Sequence, residues 1–351
     1  MAVLAKKWSG RIEVITTEKF APELRRFATA TALGATLLTS PLAAQDAEFT
    51  IRFAMPTAND CNERAGELMG EAIFEATNGR VATEIYNRHQ LGGPSAMISG
   101  LQLGTIQAYL GVPGYFAGLE ERMNLLSVPF ILDGGMDGAN AVFQDPEVND
   151  YILSMMEDNG IIGVQAVAVN PVLYLATSDI STLDGFEGLN FKSDGAEVQE
   201  IFLSRIGATA VPMGTGDIVP ALQAGTIDGV GSGIAVLNAF NLHSIATQAV
   251  NLEDTVVPVF IVLSEAWLNT LPDDLADTVV AAARSTQADY AQLCTDDLPN
   301  MIAQWESNGG EIISFSDEDQ ARYREMMAGL AEEVSARNPE MEEFRRLLQG
   351  E

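Results

Sequence analysis

The sequence has 351 residues, of which 47% are hydrophobic and 19% charged, so the chain is long and apolar enough for two domains. Its 49 acidic residues outnumber 19 lysines and arginines, which gives a formal net charge of −30. A surface of that sign repels nucleic acid and anionic lipid headgroups, and both are therefore excluded as partners.

The first 44 residues resemble a secretory signal. Arg25 and Arg26 precede a short run of apolar and small residues at 27–38, and a small-residue stretch at 40–44 is typical of a cleavage region. The apolar run is too short to span a membrane. We expect a periplasmic protein that begins near Gln45; a helix retained in the mature protein is the alternative. The long stretch before Arg25 suggests a true start near Leu24.

Removal of residues 1–44 would make the chain more acidic. This segment holds six of the 19 basic residues and three of the 49 acidic ones, so the mature chain would carry a net charge of −33. An anionic ligand is costly on such a protein unless a local positive charge receives it.

The first half of the mature chain alternates between strand and helix patterns. Apolar spacing predicts strands at 49–54, 81–86 and 106–112 and helices at 63–76 and 95–103. Such βαβαβ runs form the parallel sheets of doubly wound α/β domains, whose ligands lie beyond the carboxyl ends of the strands.

Two long extended segments follow, and each contains a proline near its middle. Residues 164–177 contain Pro171, and residues 250–264 contain Pro258. Proline cannot donate to a strand ladder, so these positions fit a crossing point between two lobes. Residues 272–307 show the longest helical pattern, in which Pro299 should produce a kink.

The stretch between these two segments, residues 179–233, has the pattern of a compact βαβ unit. Strands are expected at 190–192, 209–213 and from 227 onward, with helices at 195–206 and 217–224. Lys192 and Ser232 then lie at strand ends, where a ligand would bind.

Three motifs in this stretch carry a resemblance to a known family. They are LDGFEGLNFK at 183–192, IGATAVPM at 206–213 and ALQAGTIDG at 221–229, and the shorter matches are NGRV at 78–81, QLGG at 90–93 and VPF at 128–130. In that order and spacing they resemble the DctP-family solute-binding proteins of TRAP (tripartite ATP-independent periplasmic) transporters. The resemblance covers nearly the whole chain after residue 48.

The resemblance implies a two-lobed α/β protein with hinge strands and a long bent helix across both lobes. Lobe I would comprise 48–170 and 259–298, and lobe II 171–258 and 299–351. It also implies a monomer that closes on a small organic acid and hands it to a membrane permease, without hydrolysing ATP. The ligand-binding residues expected on this basis are Lys192, Ser232, Thr215, Tyr115, Phe116, Asn62 and Asn170.

Several of these positions depart from the family pattern. Lys192 stands where the family has an arginine that forms a bidentate salt bridge to the ligand carboxylate, and lysine lacks that planar fork. Ser232 replaces a common asparagine, Thr215 a common aromatic residue, and Pro171 lies near a second arginine of some relatives. A neutral polyol or a small amine therefore remains an alternative ligand.

No motif indicates catalysis, a metal or a cofactor. His89 and His243 have no triad neighbours, and Ser232 has no base near it in sequence, although a hydrolase that uses Ser232 stays open as a rival function. Cys61 and Cys294 lack the spacing of metal ligands. A periplasmic location permits a disulfide between them, but we expect two separate cysteines.

Overall fold

Nine strands form one mixed sheet in the residues that the structure, a computed structural model, describes: 47–132 and 134–351. The expected signal segment, 1–44, lies outside the described residues. The strands are β1 (Phe49–Ala54), β2 (Val81–Tyr86), β3 (Ala108–Gly111), β4 (Ile161–Ala176), β5 (Asn190–Ser193), β6 (Thr209–Pro212), β7 (Gly229–Gly233), β8 (Gln248–Ser264) and β9 (Glu311–Ser314).

Helices connect the strands and cover the sheet. They are α1 (Cys61–Ala76), α2 (Pro94–Gln102), α3 (Pro113–Phe116), α4 (Gly135–Gln144), α5 (Pro146–Ser154), α6 (Glu197–Arg205), α7 (Ile218–Ala224), α8 (Ile234–Ala239), α9 (Glu265–Leu268), α10 (Asp273–Ser285), α11 (Gln287–Ser307), α12 (Asp317–Met327), α13 (Leu330–Ser335) and α14 (Pro339–Gln349). Among the described residues, none of these helices combines the length and apolar composition required to cross a bilayer.

The sheet has the order β2-β1-β3-β8-β4-β7-β5-β6, and β9 pairs with the start of β8. The first half, β1 to β3, and the second half, β5 to β7, are each parallel, as the alternating pattern predicts. Strands β4 and β8 join the halves and pair antiparallel with each other and with β7 and β3. The expected α/β class is confirmed, and the sheet is mixed because the chain crosses between the halves twice.

Both faces of the sheet are buried. Along β8, Phe260 and Val262 pack into one apolar core, whereas Ile261 and Leu263 pack into a second core on the opposite face. Successive side chains of a strand point to opposite faces, so a strand covered on both sides is apolar throughout. The result is a sheet between two helical layers.

The start of α1 is set by a side-chain cap. The backbone N–H of Glu63 donates to Asp60 Oδ1 over 3.1 Å, which satisfies one of the free N–H groups at the helix start. The helix therefore begins at Cys61, two residues before the start that apolar spacing predicts. This cap places Asn62 in the first turn, beside the cavity described below.

The two crossing strands are interrupted where the prolines lie. The register between β4 and β8 shifts between Ala168 and Pro171 and again between Pro171 and Leu173, and Pro258 pairs with Ala168. Each proline lacks an N–H for the ladder, so the pairing is weakest at this crossing point. The extended segments are as predicted; their movement as a hinge stays a prediction.

The long helical region is bent at Thr286, where α10 ends and α11 begins. The sequence also predicts a kink at Pro299; that residue lies inside α11, which continues through it, and the kink there stays a prediction. Gln165 Nε2 donates to Thr286 Oγ1 over 2.7 Å and to the Ala283 carbonyl over 2.6 Å. The side chain of Gln165, on a strand, thus hydrogen-bonds the helical region where it breaks. The break therefore depends on a tertiary contact, which local sequence does not reveal.

Cys61 and Cys294 form a disulfide, so the expectation of two separate cysteines is wrong. Cys61 is the first residue of α1, and Cys294 lies on α11, which packs against α1. This packing brings the two α-carbons to 5.0 Å across a sequence separation of 233 residues. The packing of α11 on α1 produces this short distance, and sequence spacing alone could not show it.

Candidate ligand-binding site

A cavity of about 100 Å³ lies between the two halves of the sheet. Six of the seven predicted ligand residues line it: Asn62, Tyr115, Asn170, Lys192, Thr215 and Ser232. Much of the remaining lining is aliphatic, including Leu110, Val112, Val169, Val236, Val257 and Pro258. A few polar groups on an apolar wall are typical of small-molecule sites.

Phe116 is the predicted residue that does not line this cavity. Its ring is fully buried and packs against Tyr109, with 6.1 Å between the ring centroids. The neighbouring Tyr115 takes the position at the cavity. Sequence could name this aromatic pair but not decide which ring faces inward.

Lys192 is the cationic residue of the cavity. It lies on β5 near the carboxyl end of that parallel strand, and 2% of its side chain is exposed. Its Nζ forms an ion pair with Asp194 and lies 5.9 Å from the centre of the Tyr115 ring. Burial favours the neutral amine, but Asp194 and the Tyr115 hydroxyl outweigh burial, so the pKa of Lys192 lies above its ordinary value. The ammonium is therefore charged at neutral pH.

Three side chains, two of them in the lining, join the two halves of the sheet beside the cavity. His89 Nε2 lies 2.5 Å from Thr215 Oγ1, and the Tyr115 hydroxyl lies 3.4 Å from the same oxygen. Burial lowers the pKa of His89, as does Lys192, and they outweigh the opposite effects of the Gly92 backbone and Asp217. The imidazole is therefore neutral near pH 7 and can share a hydrogen bond with the Thr215 hydroxyl in either direction.

A glycine permits a close approach between the two halves of the sheet. A Cβ atom on Gly114, in α3, would lie 2.6 Å from Asp194 Cβ and 3.2 Å from the backbone nitrogen of Ala196. Any side chain here would push the turn after β3 away from the turn after β5. The turn after β3 and the turn after β5 therefore touch in this structure.

Asn62 is fully hydrogen-bonded on its side of the cavity. Its Nδ2 donates to Thr57 Oγ1 and to Asp60 Oδ2, each over 3.1 Å, and its Oδ1 accepts from the Tyr290 hydroxyl over 2.5 Å. Tyr290 lies on α11, the helix that carries Cys294. Asn62 is thus fixed by the same contacts that anchor α1.

Asn170 presents the opposite case. It is buried at the interruption of β4, and its Oδ1 has no hydrogen-bond partner among the described residues. A Cβ on Gly233 of β7 would lie 1.8 Å from that oxygen, so only glycine leaves room for it. A buried acceptor without a donor costs free energy.

Ser232 lies on β7 opposite Leu173 of β4. Among the described side-chain contacts, its hydroxyl has no histidine or carboxylate partner that could act as a base. A serine nucleophile requires such a partner within hydrogen-bond reach. The arrangement leaves Ser232 as a hydrogen-bonding hydroxyl in the lining.

The structure adds site residues that sequence reasoning missed. Asp194 lines the cavity two positions after Lys192, and His89 is in hydrogen-bond contact with Thr215, another lining residue. Gln199 also lines the cavity and accepts from the Asp194 backbone N–H over 2.7 Å. The only sequence signal for Asp194 was its place just beyond a predicted strand end, and His89 carried none.

A buried carboxylate lies directly behind the cavity wall. Tyr174, which lines the cavity, donates its hydroxyl to Asp254 Oδ2 over 3.2 Å, and Tyr323 of α12 donates over 2.6 Å. The second oxygen, Oδ1, has no partner among the described residues. Burial raises the pKa of Asp254 from 3.8 to about 6, against the lowering effect of the two tyrosines.

Comparison with known proteins identifies the family to which this chain belongs. The profile of the bacterial extracellular solute-binding proteins of family 7, DctP, matches residues 54–338. The chain belongs to the DctP family of TRAP periplasmic solute-binding proteins. This membership confirms the resemblance described above, the transport role and the periplasmic location.

Individual relatives are similar at low identity over most of their length. The 2,3-diketo-L-gulonate-binding periplasmic protein of Escherichia coli K12 is 26% identical over 283 residues, covering 80% of this chain and 84% of that one. The C4-dicarboxylate-binding periplasmic protein of Rhodobacter capsulatus is 23% identical over 311 residues, with coverages of 87% and 92%.

Solved structures show the same fold. A TRAP periplasmic solute-binding protein from Sulfurospirillum deleyianum with bound succinate aligns with a TM-score of 0.79 at 19% identity, over 86% of this chain and 99% of that one. DctP-family proteins are binding proteins for transport and not enzymes, so the rival role of Ser232 as a nucleophile is set aside. Family membership also implies a membrane permease as partner.

Proposed function

We propose that this DctP-family protein captures a small solute that carries a carboxylate and delivers it to its permease. One observation carries the choice of a carboxylate: Lys192, a buried and protonated cation, lies in the lining of the cavity. A buried ammonium is the natural partner of a carboxylate. Relatives named for diketogulonate and C4-dicarboxylates, and one crystallised with succinate, support this class of ligand.

Capture would work by closure of two lobes, 48–170 with 259–298 and 171–258 with 299–351. The interrupted pairing of β4 and β8 supports a hinge at this division, because the ladder is weakest there. Thr215, with its contacts to His89 and Tyr115, would hold the closed state. Closure buries most of a small ligand, so a few polar contacts then decide its identity.

The test is a calorimetric titration of the wild type and Lys192→Met against a panel of carboxylates, polyols and amines. Loss of the cation leaves a buried carboxylate unpaired, so the carboxylate ligand should bind more weakly by about 3 kcal/mol, which is over a hundredfold. Lys192→Arg is the matched control, because it keeps the charge and should keep much of the affinity. Equal carboxylate affinity in wild type and Lys192→Met would refute the proposed contact.

A neutral polyol or small amine is the second candidate. Asp194 favours it, because this carboxylate already neutralises Lys192 inside the cavity. In that case the wild type would bind a polyol or amine and no carboxylate, and Lys192→Met would change affinity little. Mass spectrometry of the molecule that co-purifies in the cavity distinguishes the two candidates directly.

A further inference from the structure

We propose that Lys192 and Asp194 together form a two-charge ligand site, and that the solute is a small aliphatic zwitterion. Its carboxylate would contact Lys192, and its cationic nitrogen would contact Asp194. This inference rests on the proposed function, because it keeps the carboxylate contact and adds a second one. The Lys192–Asp194 ion pair would then open to insert the ligand between its two charges.

The charge balance of the cavity is the first argument. Among the described residues that line it, Lys192 is the one cation and Asp194 the one anion, and they are paired. A simple carboxylate would bring a net negative charge into this neutral, largely apolar space and would compete with Asp194 for the same ammonium. A zwitterion adds no net charge and supplies a new partner to each member of the pair.

Asp194 is held in place as a site residue would be. Its Oδ2 lies 3.4 Å from Gln199 Nε2, its backbone N–H donates to Gln199 Oε1 over 2.7 Å, and 19% of its side chain is exposed. Gly114 of the opposite turn packs directly on its Cβ position. An acid that only solvates the surface would not be fixed from both sides in this way. A carboxylate fixed before the ligand arrives loses little freedom on binding.

The unsatisfied acceptor in the same cavity points in the same direction. Asn170 Oδ1 is buried and has no donor among the described residues. A carboxylate group offers only acceptors at neutral pH and could not satisfy it. An ammonium group carries several N–H donors, so a ligand that bears one can supply the missing donor.

The volume limits the size of the solute. An apolar cavity of roughly 150 Å³ binds benzene, which has six carbon atoms. Scaling from benzene gives about four non-hydrogen atoms for the cavity here, about 100 Å³, and allowing ~15 Å³ for each water-sized atom gives about seven, so the cavity suits ~4–7 such atoms in this conformation. Because the rest of the wall is mainly aliphatic, a short alkyl chain between the charged groups and the wall fits best. A two- to four-carbon amino acid has this size and chemistry.

The experiment uses three probes that share an alkyl chain and differ in charge: 2-aminobutyrate, butyrate and propylamine. Each is titrated calorimetrically into ligand-free wild type, Asp194→Asn and Lys192→Met, with succinate as a further probe. We expect wild type to bind 2-aminobutyrate most tightly. Asp194→Asn should weaken the binding of 2-aminobutyrate by about 30-fold or more, because the ammonium group of this ligand loses a charged partner. The same variant should leave butyrate unchanged or bind it more tightly, because Lys192 is released from Asp194.

The opposite sign of the Asp194→Asn effect would overturn the inference. If that variant binds both 2-aminobutyrate and butyrate more tightly than the wild type does, Asp194 competes with the ligand for Lys192 and is not a partner of the ligand. If the wild type prefers succinate or butyrate, and only Lys192→Met abolishes that binding, the ligand is not a zwitterion. The proposed carboxylate function then remains intact. Binding of propylamine alone, unaffected by Lys192→Met, refutes both. If the wild type binds none of these probes, the inference is also contradicted. The ranking of the probes by the wild type can be measured even if a variant fails to fold.

Discussion

The two walls of the cavity differ in how completely their polar groups are used. On the first wall, which Thr57 and Asn62 form, Asn62 makes three side-chain hydrogen bonds and is tied to α11 through Tyr290. The second wall is formed by Asn170, Lys192, Asp194 and Thr215. There Asn170 Oδ1 has no partner among the described residues, and Lys192 and Asp194 form an ion pair with each other. The first wall is thus a fixed scaffold, and the second holds the binding capacity that a ligand can use.

The largest expected effect comes from breaking the scaffold of the first wall. The Cys61–Cys294 bond closes a loop with a sequence separation of 233 residues, and chain entropy assigns such a cross-link about 5 kcal/mol. Replacing both cysteines by serine should therefore lower the free energy of unfolding by about 3–5 kcal/mol in urea titration. Reduction of the wild type with dithiothreitol is the matched control and should give a similar loss. An unchanged unfolding midpoint would show that α11 anchors the first wall without this bond.

The next effect tests the carboxylate behind the second wall. The pKa of Asp254 is about 6 in the fold and 3.8 without it, so the folded protein binds this proton more tightly. Its protonation adds stability that is fully present below pH ~4 and is lost as the pH rises through ~6, about 3 kcal/mol in all. Asp254→Asn should abolish this contribution. The unfolding free energy of the wild type minus that of the variant should therefore rise by about 2 kcal/mol from pH 7 to pH 4.

The groups that face Asp254 make this measurement specific. Its hydrogen-bond partners are the hydroxyls of Tyr174 and Tyr323, whose own pKa values are raised well above 10 by burial and by Asp254. They do not titrate in the range used. Arg324 lines the neighbouring surface pocket. A wild type and variant that differ equally at pH 4 and pH 7 would contradict the raised pKa.

The smallest expected effect concerns the contact between the walls. Thr215→Val keeps the shape of the side chain but removes the hydroxyl that contacts His89 and Tyr115. Loss of a neutral hydrogen bond costs about 1 kcal/mol, so ligand should dissociate about five- to tenfold faster. Unfolding free energy should hardly change, since the contact joins the two halves only in the closed state. Thr215→Ser should retain the wild-type rate in stopped-flow measurements; equal rates in all three proteins would exclude a closing role.

Local pattern was sufficient for most strands and helices and for the place of Lys192. Strand β1, for example, was predicted with its observed ends, and β5 was predicted within one residue of its end. These elements depend on alternation and on glycines at their boundaries, which neighbouring residues determine. The polar residue at the end of β5 then follows from the general geometry of parallel sheets.

What sequence could not supply depends on contacts between distant segments. The disulfide requires α1 to pack on α11, and the bend at Thr286 requires Gln165 of β4 to reach it. Asp194 becomes a site residue because the turn that carries Gly114 presses against it. The same limit explains why Phe116 could not be separated from Tyr115. Each is a tertiary effect that no window of local sequence contains.

The position of β8 in the middle of the sheet has a consequence for biosynthesis. This strand, Gln248–Ser264, pairs with β3 on one side and β4 on the other. The two halves of the sheet therefore cannot join until β8 has been synthesised. A growing chain must therefore extend past residue 264 before the core can close. Folds with such distant pairings form slowly, because loop closure precedes the gain from contact. Such late pairing favours a chain that stays unfolded for longer during its synthesis.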